Sequence, residues 1–509
     1  MLKIILGNTS CRIIGHIDDN VLKELDNDMS YKFPGYQFMR GRHGVYNPYS
    51  SNLGGWDGRV RLLTKGRSFP AGLLSRTKSI LNKNKVEYSV VDNREDILLG
   101  KELGLCDGEF IPRDYQIAVV NKGFDVGGGI VRSATGSGKT SMIAMLVAKF
   151  NINTVIYVIG IELLYQMKET IERLYGIECG IVGGGHCDTS KNVTIMTVWS
   201  AASAFNKKCK LMDSDVTHDN KRKNKLLNKR DVIRKVESAN LIIIDECQYA
   251  ASETVQFLHR SSKSAKYRFL FSGTPWRDSG DDILIESVGG PKFYDLNATT
   301  LIKKNFLVPP EIHFINVPIM KNVGKNYHEV YTNYIVNNEE RNGLIKDAVR
   351  RLVGAGKKVL ILVVRVAHGD VLLDMLEEEF RVEYLDGGKS IKQRLGAISD
   401  MKEGRLDVLI ASKIFDQGVD IPQLDALIVA GSGKSSGRAL QRIGRVIRPW
   451  SGKSSAIVVD FFDNAKYLRE HSERRIGIYG SEPGFKIKLP SKISKRRKNK
   501  KVRDTNWLS

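Results

Sequence analysis

Short apolar runs recur along the chain from about residue 108 and alternate with stretches of helical pattern. A first series lies at 154–158, 193–196, 241–244 and 268–271, and a second at 358–364, 382–384, 408–411, 426–429 and 456–459. Continuous apolar strands of this length are typical of a parallel sheet that is covered on both faces. The pattern therefore predicts an α/β fold with two tandem, doubly wound parallel-sheet domains.

Changes in this pattern divide the chain into four segments. Residues 1–107 are predicted to form a small basic, aromatic-rich α/β domain. The first sheet domain is predicted over 108–308, the second over 309–480, and a basic, flexible tail over 481–509. The boundary near 308 precedes Pro309 and Pro310, which cannot continue a helix.

The composition narrows the class of protein. The chain has 509 residues with 79 Lys+Arg against 57 Asp+Glu, a net charge of +22, which favours a polyanionic partner. A basic housekeeping enzyme remains the alternative at this point. There is no apolar run of roughly 18–20 residues that could span a membrane. The apolar patch at the start of the chain is too short for a secretory signal, so we expect a protein of the reducing cytoplasm. The six cysteines form no CxxC pair, so neither a zinc ribbon nor a redox pair is indicated.

The positive charge is concentrated in three segments. Residues 31–86 carry eleven basic residues, one acid and eight aromatics, residues 207–235 have a net charge of +7, and a basic run follows Lys492. Basic groups neutralise phosphates and flat rings stack on bases, so we expect DNA contacts, with Trp56, Arg59 and Arg61 as candidates. The alternatives are aromatics in a small core for the first segment, and a solvated helix pair for the second.

A glycine-rich turn between a strand and a helix carries the strongest chemical signal. It comprises Ala134, Thr135, Gly136, Ser137, Gly138, Lys139 and Thr140, with Ser141 next in the helix. Such a turn directs backbone N–H groups and a helix N-terminus at phosphates. Lys139 is expected to reach the β- and γ-phosphates of ATP and Thr140 to ligate Mg²⁺. Ser133 stands where the common pattern begins with glycine.

Two acids follow the apolar strand at 241–244. Asp245 is placed to hold Mg²⁺, and Glu246 to orient and deprotonate the attacking water. In the second domain, Arg445 and Arg448 lie three residues apart on one predicted helical face, close to Gln441. Their guanidinium groups could neutralise charge on the transferred phosphate. The alternative for this helix is a solvated basic face.

These segments together resemble the superfamily 2 helicases. Residues 134–140, 245–248, 272–275 and 441–448 are similar to motifs I, II, III and VI of that family, in order and spacing. The resemblance implies two RecA-like domains over about 108–480. It also implies adenine contacts from Gln116 and Arg113, nucleotide contacts near Gly418 and Asp420, and DNA contacts at Thr197, Arg365 and Ser412. Gln248 departs from the family, where His is usual, and the resemblance implies that this position communicates with motif III.

The amino-terminal segment resembles a narrower group. Residues 52–63 and 69–74 look like the small first domain of the phage UvsW-type recombination helicases, and residues 459–475 are similar to that group as well. The resemblance implies an ATP- and Mg²⁺-dependent translocase that remodels branched or forked DNA, duplex or single-stranded, in recombination, repair or replication. It would act in the host cytoplasm if phage-encoded, with other recombination or replication proteins as possible partners. The alternatives are the motor subunit of a restriction or repair nuclease, an RNA helicase, and a non-hydrolysing DNA-binding regulator.

Overall fold

The computed structural model divides the chain into two units. The first comprises Met1–Ser133 and Gly138–Leu296, and the second Ala134–Ser137 and Asn297–Ser509. The structure describes residues 2–33, 57–207, 228–277, 279–321, 323–412, 421, 423–431, 433 and 436–490. The candidate residues Trp56, Gly418 and Asp420 lie outside these ranges. So do 208–227 of the second basic segment and the run after Lys492.

A small four-stranded sheet begins the first unit. Its elements are β1 (Leu2–Leu6), β2 (Ser10–Ile14), α1 (Asp19–Asp28), β3 (Ser30–Lys32), β4 (Arg59–Arg61), β5 (Ser68–Pro70), a 3-10 turn (Ala71–Leu73), α2 (Leu74–Lys83) and β6 (Tyr88–Asp92). The strand order is β5-β2-β1-β6, and β3 pairs separately with β4. Ile4, Leu25 and Phe69 are buried in one core between the sheet and its helices. This confirms the predicted α/β character of the amino-terminal segment.

A mostly parallel sheet of eight strands forms the rest of the first unit. The elements are α3 (Asp114–Val126), β7 (Gly128–Ser133), α4 (Lys139–Phe150), β8 (Thr154–Val158), α5 (Ile161–Tyr175), β9 (Cys179–Gly183), β10 (His186–Cys187), β11 (Val193–Thr197), α6 (Val198–Ala204), α7 (Lys229–Ser238), β12 (Leu241–Asp245), α8 (Glu253–Ser261), β13 (Tyr267–Ser272), α9 (Ile283–Gly289) and β14 (Lys292–Leu296). The order is β10-β9-β11-β8-β12-β13-β7-β14, with β10 antiparallel to β9.

Both faces of this sheet are buried, as its continuous apolar strands predict. Along β12, Leu241 and Ile243 enter one apolar cluster, whereas Ile242 and Ile244 enter another. Side chains of successive strand residues point to opposite faces, so the two clusters lie on the two sides of the sheet. The carboxyl ends of the parallel strands then meet at one edge, where α/β proteins bind their ligands.

The small sheet packs directly on the large one. Arg76 of α2 binds Glu286 of α9 at 2.8 Å and Asp28 of α1 at 3.2 Å. A side chain at Gly72 would come within 2.2 Å of the Glu286 carbonyl oxygen, so glycine permits a close backbone approach there. Arg268 of β13 donates to the Asn8 carbonyl. The amino-terminal segment is therefore joined to the first sheet by charged and backbone contacts.

A second parallel sheet of seven strands organises the second unit. The elements are α10 (Ala298–Lys303), β15 (Pro310–Asn316), α11 (Tyr327–Tyr331), a π-helical turn (Thr332–Val336), α12 (Glu339–Gly354), β16 (Val359–Leu362), α13 (Val366–Leu376), β17 (Val382–Leu385), α14 (Ile391–Lys402), β18 (Val408–Ala411), β19 (Ala426–Val429), α15 (Ser436–Val446), β20 (Ala456–Phe462), α16 (Leu468–Gly480) and β21 (Lys486–Lys488). Its order is β17-β18-β16-β19-β20-β15-β21, with every pair parallel.

The predicted fold class of two tandem parallel-sheet domains is confirmed. Every strand named from the apolar runs is present, within a few residues of its predicted bounds. The strand β21 lies in the segment where the sequence predicts a tail, and the domain bounds at 107, 308 and 480 stay predictions. Across the part of the chain that the structure describes, no helix combines the length and apolar character that a bilayer crossing requires.

Candidate functional site

The loop between β7 and α4 carries the predicted phosphate-binding residues. Gly136 and Gly138 have φ values of +87° and +81°, in the left-handed region that favours glycine. The Ser137 N–H donates to the Ala134 carbonyl at 3.1 Å, which closes the turn. Helix α4 then begins at Lys139, followed by Thr140 and Ser141 in its first turn. The positive end of the helix dipole thus lies at this loop, where it favours an anion.

Lys139 lies beside the two acids at the end of β12. Its Nζ is 2.8 Å from Glu246 Oε1 and 3.8 Å from Asp245 Oδ1. The side chains of Lys139 and Asp245 are 15% and 6% exposed. The structure therefore brings Lys139 together, at the carboxyl edge of the sheet, with two adjacent acids that lie more than a hundred positions away in sequence.

The charges of this cluster shift one another's pKa. Burial alone would lower the pKa of Lys139, but the carboxylates of Glu246 and Asp245 raise it above its ordinary value. Burial raises the pKa of Asp245, and the Lys139 ammonium opposes that rise. The ammonium therefore keeps its charge and holds two acids close together that would otherwise repel each other.

Glu246 has an unusual backbone for a residue with a side chain. Its φ and ψ are both +57°, in the left-handed region. Such a conformation costs on the order of 1–3 kcal/mol and is concentrated at functional sites. The Glu246 N–H donates to Asp245 Oδ1 at 3.0 Å, which links the two acids through the backbone. The chain thus turns sharply after β12 and directs Glu246 to Lys139.

Gln248 connects this cluster to the end of β13. Its amide nitrogen donates to Glu246 Oε2 at 3.0 Å, and its amide oxygen accepts from Ser272 Oγ at 2.7 Å. The Thr274 N–H donates to the same Ser272 oxygen at 3.0 Å. The sequence pointed to Gln248 as a departure from the family but did not identify its contact with Glu246. The signal was available, because an amide is both a donor and an acceptor and can join a carboxylate to a hydroxyl.

Gln116 lies against the phosphate loop. It is buried in the first turn of α3, and its amide oxygen accepts from the Arg113 N–H at 2.9 Å. A side chain at Gly138 would come within 2.5 Å of Gln116 Nε2. The Arg113 guanidinium donates to the Tyr115 hydroxyl at 2.7 Å. Gln116 thus borders the loop that is predicted to bind phosphate, and Arg113 is hydrogen-bonded to Gln116. The adenine contacts of both residues remain predictions.

The predicted arginines lie in the second unit. Gln441 and Arg445 belong to α15, and Arg448 follows it. Arg445 is 8% exposed, and burial lowers the pKa of Arg448 to about 10. A desolvated guanidinium interacts strongly with an anion because little water screens it. Completion of the ATP site by Gln441, Arg445 and Arg448 stays a prediction.

Two candidate DNA contacts lie at strand ends. Thr197 ends β11 and caps α6, and its hydroxyl accepts from the Ser200 N–H at 3.2 Å. Ser412 follows β18, where its N–H donates to the Leu385 carbonyl at 3.0 Å. Both residues are buried. Their hydroxyls are thus closely enclosed by protein, and their contacts with DNA stay predictions.

Three candidate arginines are already held by protein groups. Arg61 binds Asp57 and Asp26, each at 2.6 Å. The Arg59 Nε donates to Ser30 Oγ at 3.0 Å. Arg365 lies over the Tyr331 ring, with its carbon Cζ 4.4 Å from the ring centroid. The two acids compensate much of the charge of Arg61, and the Arg59 backbone N–H donates to one of them, Asp57 Oδ1, at 3.0 Å.

The comparison with family models decides the assignment. Residues 109–277 match the model described as the type III restriction enzyme res subunit, and residues 343–449 match the helicase conserved C-terminal domain. The chain belongs to the superfamily 2 helicases. This confirms the resemblance drawn from its motifs, and with it an ATP-hydrolysing helicase that acts on nucleic acid.

Named relatives support the same assignment. The ATP-dependent DNA helicase uvsW of Enterobacteria phage T4 is 24% identical over 91% of this helicase and 94% of its own chain. The DNA 3'-5' translocase XPB2 of Sulfurisphaera tokodaii is 24% identical over 72% of this helicase and 83% of its own length. Dbp5 of S. cerevisiae, solved with RNA and ADP BeF3, is 14% identical with a TM-score of 0.50, over 76% of this helicase and 92% of that chain. The last likeness concerns the fold alone.

Proposed function

We propose that this helicase is an ATP- and Mg²⁺-dependent DNA translocase that remodels branched DNA. The observation that carries the ATP chemistry is the contact between Lys139 and Glu246 at 2.8 Å, at the start of α4. A DNA substrate is supported by the uvsW relative, which is named an ATP-dependent DNA helicase and aligns over 91% of the chain. The branched form of the substrate rests on the resemblance of residues 52–63 and 69–74 to the UvsW-type helicases. A cytoplasmic location and recombination or replication partners belong to the same proposal.

Lys139 exchanges one anionic partner for another in this mechanism. Without nucleotide its ammonium neutralises Glu246. The β- and γ-phosphates of ATP carry more negative charge than one carboxylate, so they draw the ammonium away. Glu246 is then freed to accept a proton. Water attacks the γ-phosphorus, its proton passes to the Glu246 carboxylate, and the bond from the γ-phosphorus to the bridging oxygen breaks to release ADP.

The residues around this pair suit Mg²⁺. Asp245 is a buried carboxylate at the strand end, and the Thr140 hydroxyl follows Lys139 in α4. Oxygen donors of this kind are what Mg²⁺ prefers, completed by water and substrate phosphates. When bound, the ion would neutralise phosphate charge. Asp245 and Thr140 are the residues that would hold it.

The test of the ATP site is the variant Glu246→Gln, which keeps the side-chain shape but removes the base. We expect DNA-stimulated phosphate release to fall by about 10²–10⁴-fold, because a positioned general base contributes on that order. DNA binding, measured by fluorescence anisotropy, should persist. The matched control is Glu253→Gln, an exposed acid in the first turn of α8. Wild-type phosphate release from Glu246→Gln would contradict the role of Glu246.

The test of the substrate is strand exchange on a labelled four-way junction, a fork and a plain tailed duplex, with ATP and Mg²⁺. We expect exchange on the junction and the fork to exceed that on the tailed duplex. Activity on the tailed duplex alone would contradict branch remodelling. Stimulation of ATP hydrolysis by RNA above that by DNA would favour an RNA helicase. Cleavage of the DNA would favour the motor of a nuclease.

A further inference from the structure

Four rings form a cluster in the second unit, which we call the tyrosine surface: Tyr327, Tyr331, Tyr467 and His471. Tyr327 is its centre, with its ring centroid 5.9 Å from Tyr331, 6.0 Å from Tyr467 and 5.8 Å from His471. Tyr331 is buried, whereas Tyr327 and Tyr467 are 43% and 39% exposed. A buried ring thus supports two rings that reach solvent.

The backbone holds Tyr467 in a strained conformation. Its φ is +66° and its ψ is −43°, immediately before α16. The Leu468 N–H donates to the Lys466 carbonyl at 2.9 Å, so residues 466–468 form a γ-turn. This form of the turn is rare and costly for a bulky residue, because it places the side chain against its own backbone. Strain of this kind is concentrated at binding sites, and here it holds a tyrosine ring edge-on to Tyr327.

Two cations lie beside the rings. Lys466 Nζ is 5.0 Å from the Tyr467 ring centroid, and the Arg365 guanidinium lies over Tyr331. Arg365 also donates to the Thr332 hydroxyl, at the start of the π-helical turn. Turns of this type occur frequently at functional sites. The surface therefore combines stacking area with positive charge.

We propose that the tyrosine surface binds a segment of single-stranded nucleic acid. Bases would stack on Tyr327 and Tyr467, and phosphates would lie at Lys466 and Arg365. Proteins that bind single strands without regard to sequence use this combination of rings and cations. Glu329, an acid of the same segment, accepts from the Lys325 N–H at 2.8 Å and from the Asn326 amide at 2.7 Å. Its charge is thereby partly compensated. The inference rests on the proposed function and names the surface that contacts a strand.

The experiment measures anisotropy of a labelled single-stranded DNA and of a matched strand with abasic sites. We expect wild type to bind the ordinary strand more tightly than the abasic one. Tyr467→Ala should weaken binding of the ordinary strand by about 10-fold, the scale of one lost stacking contact, and should change binding of the abasic strand little. Tyr467→Phe should retain wild-type affinity. Tyr165→Ala is the matched control, because Tyr165 is an exposed tyrosine that contacts His186 in the first unit.

A second variant separates the ring from the turn. Tyr327 lies on α11, so Tyr327→Ala removes an exposed ring without altering the γ-turn. If Tyr467→Ala lowers the thermal unfolding midpoint, its weaker binding could reflect a loss of structure. The test of stacking then rests on Tyr327→Ala and on the comparison of the ordinary and abasic strands with wild type. Equal binding of both strands by wild type, or unchanged affinity in both alanine variants, would overturn the inference while leaving DNA translocation intact. Absence of all DNA binding by wild type would overturn the proposed function with it.

Discussion

Two ion pairs of the molecule have the same length but different surroundings. Lys139 and Glu246 lie at the edge of the first sheet, 15% and 22% exposed, at 2.8 Å. Arg475 of α16 and Asp460 of β20 in the second sheet are 2% and 0% exposed, also at 2.8 Å. The distances are the same, so distance alone does not tell a functional pair from a structural one.

The difference lies in what surrounds each pair. Asp460 accepts two bonds from Arg475, one from the Tyr479 hydroxyl at 2.9 Å and one from the Phe461 N–H. Arg475 donates further to the Phe461 carbonyl at 3.0 Å. These protein groups occupy both carboxylate oxygens of Asp460. Lys139 instead follows a glycine-rich loop at a helix N-terminus, and in the mechanism we propose a phosphate replaces Glu246 there. On that proposal, a partner that can be exchanged, rather than burial, distinguishes the functional charge.

The largest expected effect is on stability, from Arg475→Met. Removal of the cation leaves Asp460 buried without its partner, which costs about 3–5 kcal/mol of the free energy of unfolding. Urea denaturation followed by circular dichroism measures it. The matched control is Arg469→Met in the same helix, whose pair with Glu473 at 3.2 Å is about half exposed. That change should cost at most about 1 kcal/mol. If both variants lost the same free energy of unfolding, the buried pair of Arg475 would be no more important for stability than the exposed pair of Arg469.

The next effect is on activity, from Lys139→Met. ATP hydrolysis should fall by about 10²–10³-fold, the scale seen when a charge-stabilising group is removed from an active site. The urea midpoint should change less than in Arg475→Met, because the site is partly open to water. The control is Lys149→Met on the same helix, whose ammonium is 3.3 Å from Glu102. A stability loss as large as that of Arg475→Met, with ATP hydrolysis retained, would make Lys139 a structural residue.

The two ion pairs could not be predicted equally well from the sequence. The apolar runs predicted the strands, and the loop 134–140 predicted Lys139 as a phosphate ligand, because both depend on short local patterns. The contact between Lys139 and Glu246 follows from the order of parallel strands: β7 and β12 both lie beside β13, so their carboxyl ends are close. Local sequence pattern and sheet topology together are enough to predict that Lys139 and Glu246 lie close together.

Other features depend on distant partners and could not be predicted. Residues 459–475 resembled a family segment, but nothing local indicated that Asp460 and Arg475 bind each other in the core. Nothing in the local sequence around Tyr467 indicates its positive φ of +66°. Arg61 was expected at DNA, and its pairing with Asp26 depends on the contact between β4 and α1.

The smallest expected effect concerns Gln248, the residue that links the exchangeable pair to β13. Gln248→Leu removes both of its bonds, so Glu246 loses one of the groups that orient it. The loss of a hydrogen bond to a charged group is worth about 1.5–3 kcal/mol, so we expect kcat to fall by about 10- to 100-fold. Single-turnover phosphate release measures the chemical step. An unchanged kcat would mean that the bond from Gln248 does not orient Glu246 for catalysis.

The variant Gln248→His tests the effect of residue 248 on Glu246 through the pH dependence of kcat. A neutral imidazole can keep one bond to Glu246 or Ser272, so kcat at pH 8 should lie between those of wild type and Gln248→Leu. An imidazole titrates near its ordinary pKa of about 6.5, and the adjacent carboxylate favours its charged form. The cation then holds the proton acceptor Glu246 in its charged form and weakens it as a base. The kcat of Gln248→His should therefore fall below about pH 6.5 relative to the profile of Gln248→Leu, which has no group to titrate at that position. Parallel profiles for the two variants would mean that residue 248 does not act on Glu246.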